Sequence, residues 1–254
     1  ITSTRLELAL VDFAENIRVR RMIPLLHSED PDEVLTEVCQ ITRERIDKLN
    51  IPISAILAFC IIVPSAVDTQ TNTLFDSPRM PSWGGYQIDS MIRESFPYAV
   101  ILLENEANAL AFGEFCHAEQ PDLKSLVYVN VATSINSGII LNGQIHRGAN
   151  GRAGDIGQMH VDVLNTEGEV EDIISLESLA SATSIAMEAQ TAASSNIETS
   201  LVFHENGILT ARDVGIAAAK GDAVAREIIE RSGHLLGATL ANIVNFLDPD
   251  LVLI

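Results

Sequence analysis

Aromatic side chains are scarce in this sequence: eight Phe, three Tyr and one Trp make up 5% of its 254 residues. The core must therefore rest on Ala, Val, Ile and Leu, within a hydrophobic content of 47%. That balance excludes an aromatic-rich sandwich and points to an α/β protein with buried parallel strands. Cysteine is rarer still. Cys39, Cys60 and Cys116 lie far apart in apolar segments, so they form neither a disulfide framework nor a CxxC metal site, and buried reduced thiols are expected. Basic residues are few, 16 against 35 acidic, for a net charge of −19. Without a Lys/Arg cluster these residues repel nucleic acid, and any DNA contact needs a segment outside this chain. Long apolar runs are absent too. The longest, ISAILAFCIIV from Ile53, is too short to span a bilayer and no signal peptide opens the chain, so a cytoplasmic protein without a membrane partner is expected.

What is present alternates between strand and helix patterns. RLELALVDF (5–13) and IRVRRMIPL (17–25) read as a hairpin closed by the turn AEN. Asp30, Pro31 and Glu33 supply an N-cap, an N1 proline and a capping-box acid for a helix running to Asn50. SAILAFCIIV (54–63) follows as a strand of the type buried on both faces. Pro64 opens a long loop, Ile88 to Phe96 is a short helix, and AVILLE (99–104) is another buried strand running into an Ala-rich helix. After it come strands LVYVNV (126–131), GIILNGQIHRG (138–148) and MHVDV (159–163), with Asn142-Gly143 as a hairpin turn. NTEGEVED (165–172) reads as a polar loop before a helix through Ser181. Thr210 to Asp213 matches a capping box, and Asp222 starts a long helix to Phe246. Two related α/β halves are expected, 1–118 and 119–254, divided where HAEQPDLK breaks the apolar pattern. Both ends look cut, and LVLI reads as an unfinished strand. Ligands in open α/β sheets bind beyond the carboxyl ends of strands, where ENE (104–106) and PSAVD (64–68) sit.

Five segments, in order, resemble the ROK family, named for repressors, open reading frames and kinases. VPSAVD (63–68) with SPRMPSW (77–83) resembles VPGPVD…SPNLPGW, and LLENEANALAFGE (102–114) resembles ENDANAAALGE. GQIHRGANGRAGDIGQMHV (143–161) resembles GxxxRGAxGxAGEIGHxxV, SLESLAS (175–181) resembles CLExxAS, and GATLANIVNFLDPDLVLI (237–254) resembles the run before the family's last strand turn. The resemblance implies a two-domain actin-like ATPase (ribonuclease H-like) fold of mixed sheets with helices on both faces. The chain looks closer to the NagC/XylR-type transcriptional regulators than to active sugar kinases.

The departures carry that distinction. Family kinases hold ATP phosphates on two glycine-rich turns, because glycine lets backbone N–H groups approach closely. Ile1-Thr2-Ser3-Thr4-Arg5 replaces both glycines of the first, and 132–138 (ATSINSG) keeps only the last glycine of the second. Thr4, Thr133 and Ser134 remain as hydroxyl candidates for a phosphate. The family's zinc is held by the His of GEIGH and three cysteines. Here Gln158 and Ser175 stand at two of those positions and NTEGEVEDIIS replaces the cysteine loop, so no zinc is expected.

The sugar pocket is better kept. The resemblance assigns sugar contacts to Asn105, Glu106, Asp155, Gln158 and Glu177, with Ser65 on the matching VPSAVD end and Arg79 in place of a sugar-binding Asn. Carboxylates accept from vicinal hydroxyls, and amides both donate and accept. A guanidinium at 79 prefers planar anions, which brings an acidic or phosphorylated sugar into range. Each has a plainer alternative. Glu106 complements a helix dipole, Asp155 and Glu177 are surface acids, Gln158 fills the vacated zinc position, and Gly154 and Gly157 serve a tight turn. The expected function is the sugar-binding effector region of a ROK-type transcriptional regulator without kinase activity, acting as a homodimer or higher homo-oligomer. Its DNA-binding segment would precede Ile1, and ligand binding would alter the angle between halves. The alternatives are an ATP- and Mg²⁺-dependent hexose or N-acetylhexosamine kinase with Glu106 as base, or a degenerate sugar-binding protein.

Overall fold

In the computed structural model, all residues are described except 2–4, 25–29, 76–79, 165–169, 196 and 204–207. The first unit comprises Ile1–Leu110 and Arg147–Ala153. It opens with the antiparallel pair β1 (Arg5–Val11) and β2 (Ile17–Pro24). Helix α1 (Pro31–Lys48) starts as its sequence dictates: Asp30 Oδ1 accepts from Asp32 N at 2.9 Å, and Pro31 occupies the first turn, where its missing N–H is not needed. Next come β3 (Ala58–Val63), the two-residue pair β4 (Val67–Asp68) and β5 (Thr73–Leu74), α2 (Ile88–Ser95) and β6 (Val100–Asn105). β3 and β6 run parallel in register from Ala58↔Val100 to Val63↔Asn105.

Only one face of that parallel pair is covered among the described residues. Ile61, Val63, Ile101 and Leu103 pack with Leu35 and Ile46 of α1, Ile88 and Ile92 of α2, and Phe96. Ile62, Val100 and Leu102 on the opposite face are exposed, which corrects the expectation of a strand buried on both sides. The alternation of burial along β3 and β6 follows the period of two of any strand, so helices on one side bury every second residue. Cys60 and Cys116 are likewise exposed and only Cys39 is buried; its thiol is pushed up by burial.

The second unit comprises Ala111–His146 and Gly154–Ile254. Helix α3 (Glu106–His117) begins in the first unit and continues into the second. The main sheet contains β7 (Leu126–Val131), β8 (Ile135–Leu141), β9 (Gln144–Ile145) and, at the far end, β12 (Leu251–Leu253) parallel to β7. Asn142 and Gly143 turn the β8–β9 hairpin with φ of 52° and 75°, the left-handed pair that such a two-residue turn demands. Between β9 and β12 lie β10 (His160–Leu164), β11 (Val170–Ser175), α4 (Leu176–Ala180), α5 (Ala182–Ala193), α6 (Ala211–Ala219) and α7 (Ala223–Leu247). β11 is a correction: the acidic stretch read as loop up to residue 172 is strand from Val170, because pairing with β10 satisfies its backbone. Besides the packing of Leu126 and Ile140 with Ala111 and Leu123, two larger apolar clusters hold this unit. One joins Val127, Val129 and Ile135 to Leu176, Leu240 and Ile243; the other gathers Ile185, Leu209, Val214 and Ile228. Among the described residues no helix is long and apolar enough to cross a membrane.

Candidate functional site

Parallel pairing of β3 and β6 brings their carboxyl ends side by side, with Val63 opposite Asn105. Beyond them the chain turns into Pro64-Ser65 on one side and α3 on the other. Asn105 is the residue before α3. Its Oδ1 accepts from Ala107 N at 2.8 Å and Asn108 N at 3.4 Å, and its Nδ2 donates to the Ser65 carbonyl at 2.9 Å. It thus caps the helix and ties the two strand ends together. Ser65 is buried, and its hydroxyl makes one long contact, to the Ala66 carbonyl at 3.4 Å. Asp68, at the end of the same segment, accepts from Gln70 N at 2.9 Å; this bond and those from Thr71 hold its carboxyl below the usual range.

Glu104 is a group the motif reading passed over. It is buried, with Oε1 accepting from Asn105 N at 3.0 Å and from Asn108 Nδ2 at 2.9 Å. Oε2 accepts from Arg147, whose Nε lies at 3.0 Å and whose Nη2 also donates. Arg147 opens the stretch Arg147–Ala153 that belongs to the first unit although its neighbours in sequence belong to the second. Gly151, at φ 66°, lies against the Val67 carbonyl so closely that a Cβ would collide with it, and the Arg152 guanidinium stands 5.4 Å from the Phe75 ring centroid. Among residues 104–108 one polar side chain is left over. Glu106 is half-buried in the first turn of α3, and its carboxylate has no hydrogen-bond or ion-pair partner among the described residues.

The other predicted residues belong to the second unit. Glu177, half-buried in α4, accepts from Ile135 N at 3.0 Å, and Gly157 is packed so tightly that a Cβ would strike the Ile135 carbonyl and lie 3.1 Å from Glu177 Oε2. Asp155 precedes the short 3-10 turn Ile156–Gln158, and both Asp155 and Gln158 are exposed. The turn between β7 and β8 consists of residues 132–134, with Thr133 exposed and Ser134 buried. Ala132 N donates to the Ser134 carbonyl at 2.9 Å, Ala182 N to the Ala132 carbonyl at 2.8 Å, and Thr183 Oγ1 to the Thr133 carbonyl at 3.0 Å. Ser137 already lies in β8, where its N–H and hydroxyl both donate to the Gly154 carbonyl, at 2.7 and 3.0 Å. Gly154 itself has φ 92° and no room for a Cβ against the Ser137 carbonyl. At two positions that the resemblance assigns to zinc ligands, Ser175 caps α4 through its hydroxyl and Gln158 presents an exposed amide. Thr4, Arg79 and the loop residues 165–169 lie outside the described residues.

The structure therefore joins Ser65 to Asn105, with Glu106 adjacent, in one unit, and gathers Glu177, Gly157 and the β8 start in the other. Glu104, Asn108 and Arg147 form the network that motif reasoning missed. Its only sequence signal is that ENEAN and RGAN both lie inside family-like segments.

Known proteins with this pattern are of two kinds. The ROK family profile matches residues 1–254. A glucokinase of Halalkalibacterium halodurans is 26% identical over 259 aligned positions, covering 100% of this chain and 77% of that protein. A putative xylose repressor of a Caldicellulosiruptor species is 28% identical over 98% of the chain but only 62% of its own length. The Escherichia coli transcriptional dual regulator NagC is 26% identical, with 82% of this chain and 50% of that protein covered. Among solved structures, a ROK family regulator homologous to the E. coli MLC protein superposes with a TM-score of 0.82 at 21% identity, over 99% of this chain and 62% of that one. The ROK hexokinase of Thermus thermophilus gives 0.75 at 20%, over 99% and 78%. At these identities the structural likeness establishes the fold.

Proposed function

The chain belongs to the ROK family and has its actin-like α/β fold, and from that premise we propose that it is the sugar-binding effector region of a transcriptional regulator that does not transfer phosphate. The observation that carries this reading is the β7–β8 turn. A phosphate cradle needs free backbone N–H groups, yet Ala132 N is engaged by Ser134 and Ile135 N by the Glu177 carboxylate. Side chains stand where glycines would open the turn.

The sugar end is better provided. Glu106 offers a half-buried carboxylate without a partner among the described residues, next to an Asn105 whose amide is engaged at both its oxygen and its nitrogen in positioning the strand ends. Carboxylate acceptors of this kind recognise vicinal hydroxyls. Asn105 and Ser65 then act mainly as framework, while Glu106 is the proposed ligand contact of the first unit and Asp155, Gln158 and Glu177 those of the second, each unit taken by itself; Arg79 is proposed on the resemblance alone. No zinc takes part. DNA enters only through a segment outside these residues, and the protein works as a homodimer or higher homo-oligomer. The chain spans 56% of the length of a xylose repressor and 50% of that of an N-acetylglucosamine repressor among its relatives.

The test is a coupled ADP-release assay on the full-length protein with ATP, Mg²⁺ and a panel of hexoses and N-acetylhexosamines, run beside calorimetry of the same sugars. Heat of binding without ADP release is expected. Turnover that disappears in Glu106→Gln would overturn the reading in favour of a kinase. That second reading has its own support: the glucokinase relative aligns with the whole chain, and a Glu106 without a partner among the described residues is also what a general base requires. Only there would ATP and Mg²⁺ have a role.

A further inference from the structure

Arg147 and Glu104 do more than fill space. The Glu104 carboxylate accepts four donors from three places in the chain: Asn105 N, Asn108 Nδ2, and the Nε and Nη2 of Arg147. Its two oxygens are divided between tasks. Oε1 holds the residue before α3 and the first turn of α3, and Oε2 holds the guanidinium. Asn108 is buried to 3% exposure, and because a carboxylate accepts only, its Nδ2 must face Glu104. Its Oδ1 is buried with no partner among the described residues, so the helix start cannot rotate without leaving Nδ2 unpaired as well.

We propose that Arg147 is a positioning residue for the sugar site, acting through Glu104 to fix where Asn105 and Glu106 stand at the end of β6. This rests on the sugar-binding reading given above. The Arg147–Ala153 stretch is suited to the task because it is anchored twice more. Gly151 abuts the Val67 carbonyl, and Arg152 lies over Phe75, on either side of the short β4–β5 pair. Two guanidinium N–H groups in fixed geometry converge on one oxygen of a buried carboxylate, which sets direction as well as distance and which a lysine cannot reproduce. The stretch therefore links the 64–68 segment to the 104–106 segment by a second route, independent of the Asn105–Ser65 bond.

The experiment has two arms, both on the full-length protein. In the first, without sugar, backbone hydrogen exchange is measured at Ala107 and Asn108, whose N–H groups Asn105 Oδ1 accepts. Arg147→Ala and Glu104→Gln should each speed exchange there by about tenfold while α7 is unchanged, and Arg147→Lys should fall between them and wild type. In the second, calorimetry with D-glucose, D-mannose, D-galactose and N-acetyl-D-glucosamine should show affinity lost by about tenfold, as when the outer partners of a ligating residue are removed. The preference among epimers should narrow, and the double variant should be no worse than either single one. A purely structural role lowers thermal stability and leaves the epimer preference as it was. Unchanged exchange at Ala107 and Asn108 overturns the proposal. So does an unchanged epimer preference in Arg147→Lys, the variant that serves if Arg147→Ala does not fold. If no sugar binds the wild-type protein, the sugar-binding reading falls instead, and the proposal falls with it even where the exchange arm succeeds.

Discussion

The strand end at 104–108 and the turn region at 132–138 are both polar, both sit at the ends of strands, and both stand where the resemblance to ROK proteins expects a ligand, although only the first keeps the family's pattern. They differ in what is left over. At the strand end Glu104, Asn105 and Asn108 are tied to one another or to the backbone, and besides the buried Asn108 Oδ1 the half-buried Glu106 carboxylate remains without a partner among the described residues. At the turn, groups of Ala132, Thr133, Ile135 and Ser137 are engaged by the protein, and the Asn136 Oδ1 that has no partner among the described residues is a neutral amide oxygen closed off from solvent. The lesson is that a ligand site is marked less by polar content than by an unsatisfied group held in a satisfied frame.

The comparison can be broken first at the turn, where the largest effect is expected. Gly154→Ala would place a Cβ against the Ser137 carbonyl at φ 92°, and Gly157→Ala would place one against the Ile135 carbonyl. The first should cost about 3 kcal/mol from backbone strain and overpacking together, and the second about 2 kcal/mol from overpacking alone, each read as a lowered midpoint in thermal or denaturant unfolding. A cost near zero would mean that the turn is looser than its hydrogen bonds imply.

At the strand end, Asn105→Ala should cost about 1–2 kcal/mol, since it removes a helix cap together with the bond to Ser65. Glu106→Gln should do the opposite: stability within about 0.5 kcal/mol of wild type, but sugar affinity down at least about tenfold. If both variants lost stability equally, Glu106 would be a framework residue and the contrast with Asn105 would vanish.

The smallest effect concerns acid. Asp222 caps α7, accepting from Ala225 N at 2.9 Å and Ser200 N at 2.5 Å, with Thr199 also donating, and these bonds hold its carboxyl well below the ordinary 3.8. A carboxyl depressed in the folded state stabilises fully above its unfolded value and loses that contribution as pH falls toward the folded one. Asp222→Asn should therefore lower the melting midpoint at pH 7 and converge on wild type as pH drops below about 4. A difference that stayed constant from pH 7 to pH 3 would assign the cap to geometry rather than charge.

Much of the framework was legible because its causes are local. The Asp30-Pro31 start of α1, the Asn142-Gly143 turn and the Asp222 cap each depend on residues within a few positions of one another, and each formed as read. β11 was not legible, since an acidic stretch becomes strand only when β10 lies beside it. Cys60 was misjudged for a related reason: an apolar strand signals that some face is buried, and packing decides which.

The same division runs through the candidate site. Sequence alone determined which residue types stand at the ends of β6 and β8, since carboxylate or amide, glycine or hydroxyl, is written in the chain. It also determined the family, because ordered motifs survive where overall identity is low. Which groups remain available to a ligand was decided only in three dimensions. Arg147 reaches Glu104 across 43 positions, and Glu177 reaches Ile135 across 42. Each such bond withdraws a donor or acceptor that sequence counts as free, and hydrogen bonds saturate, so what is left for a sugar depends on every partner the fold supplies.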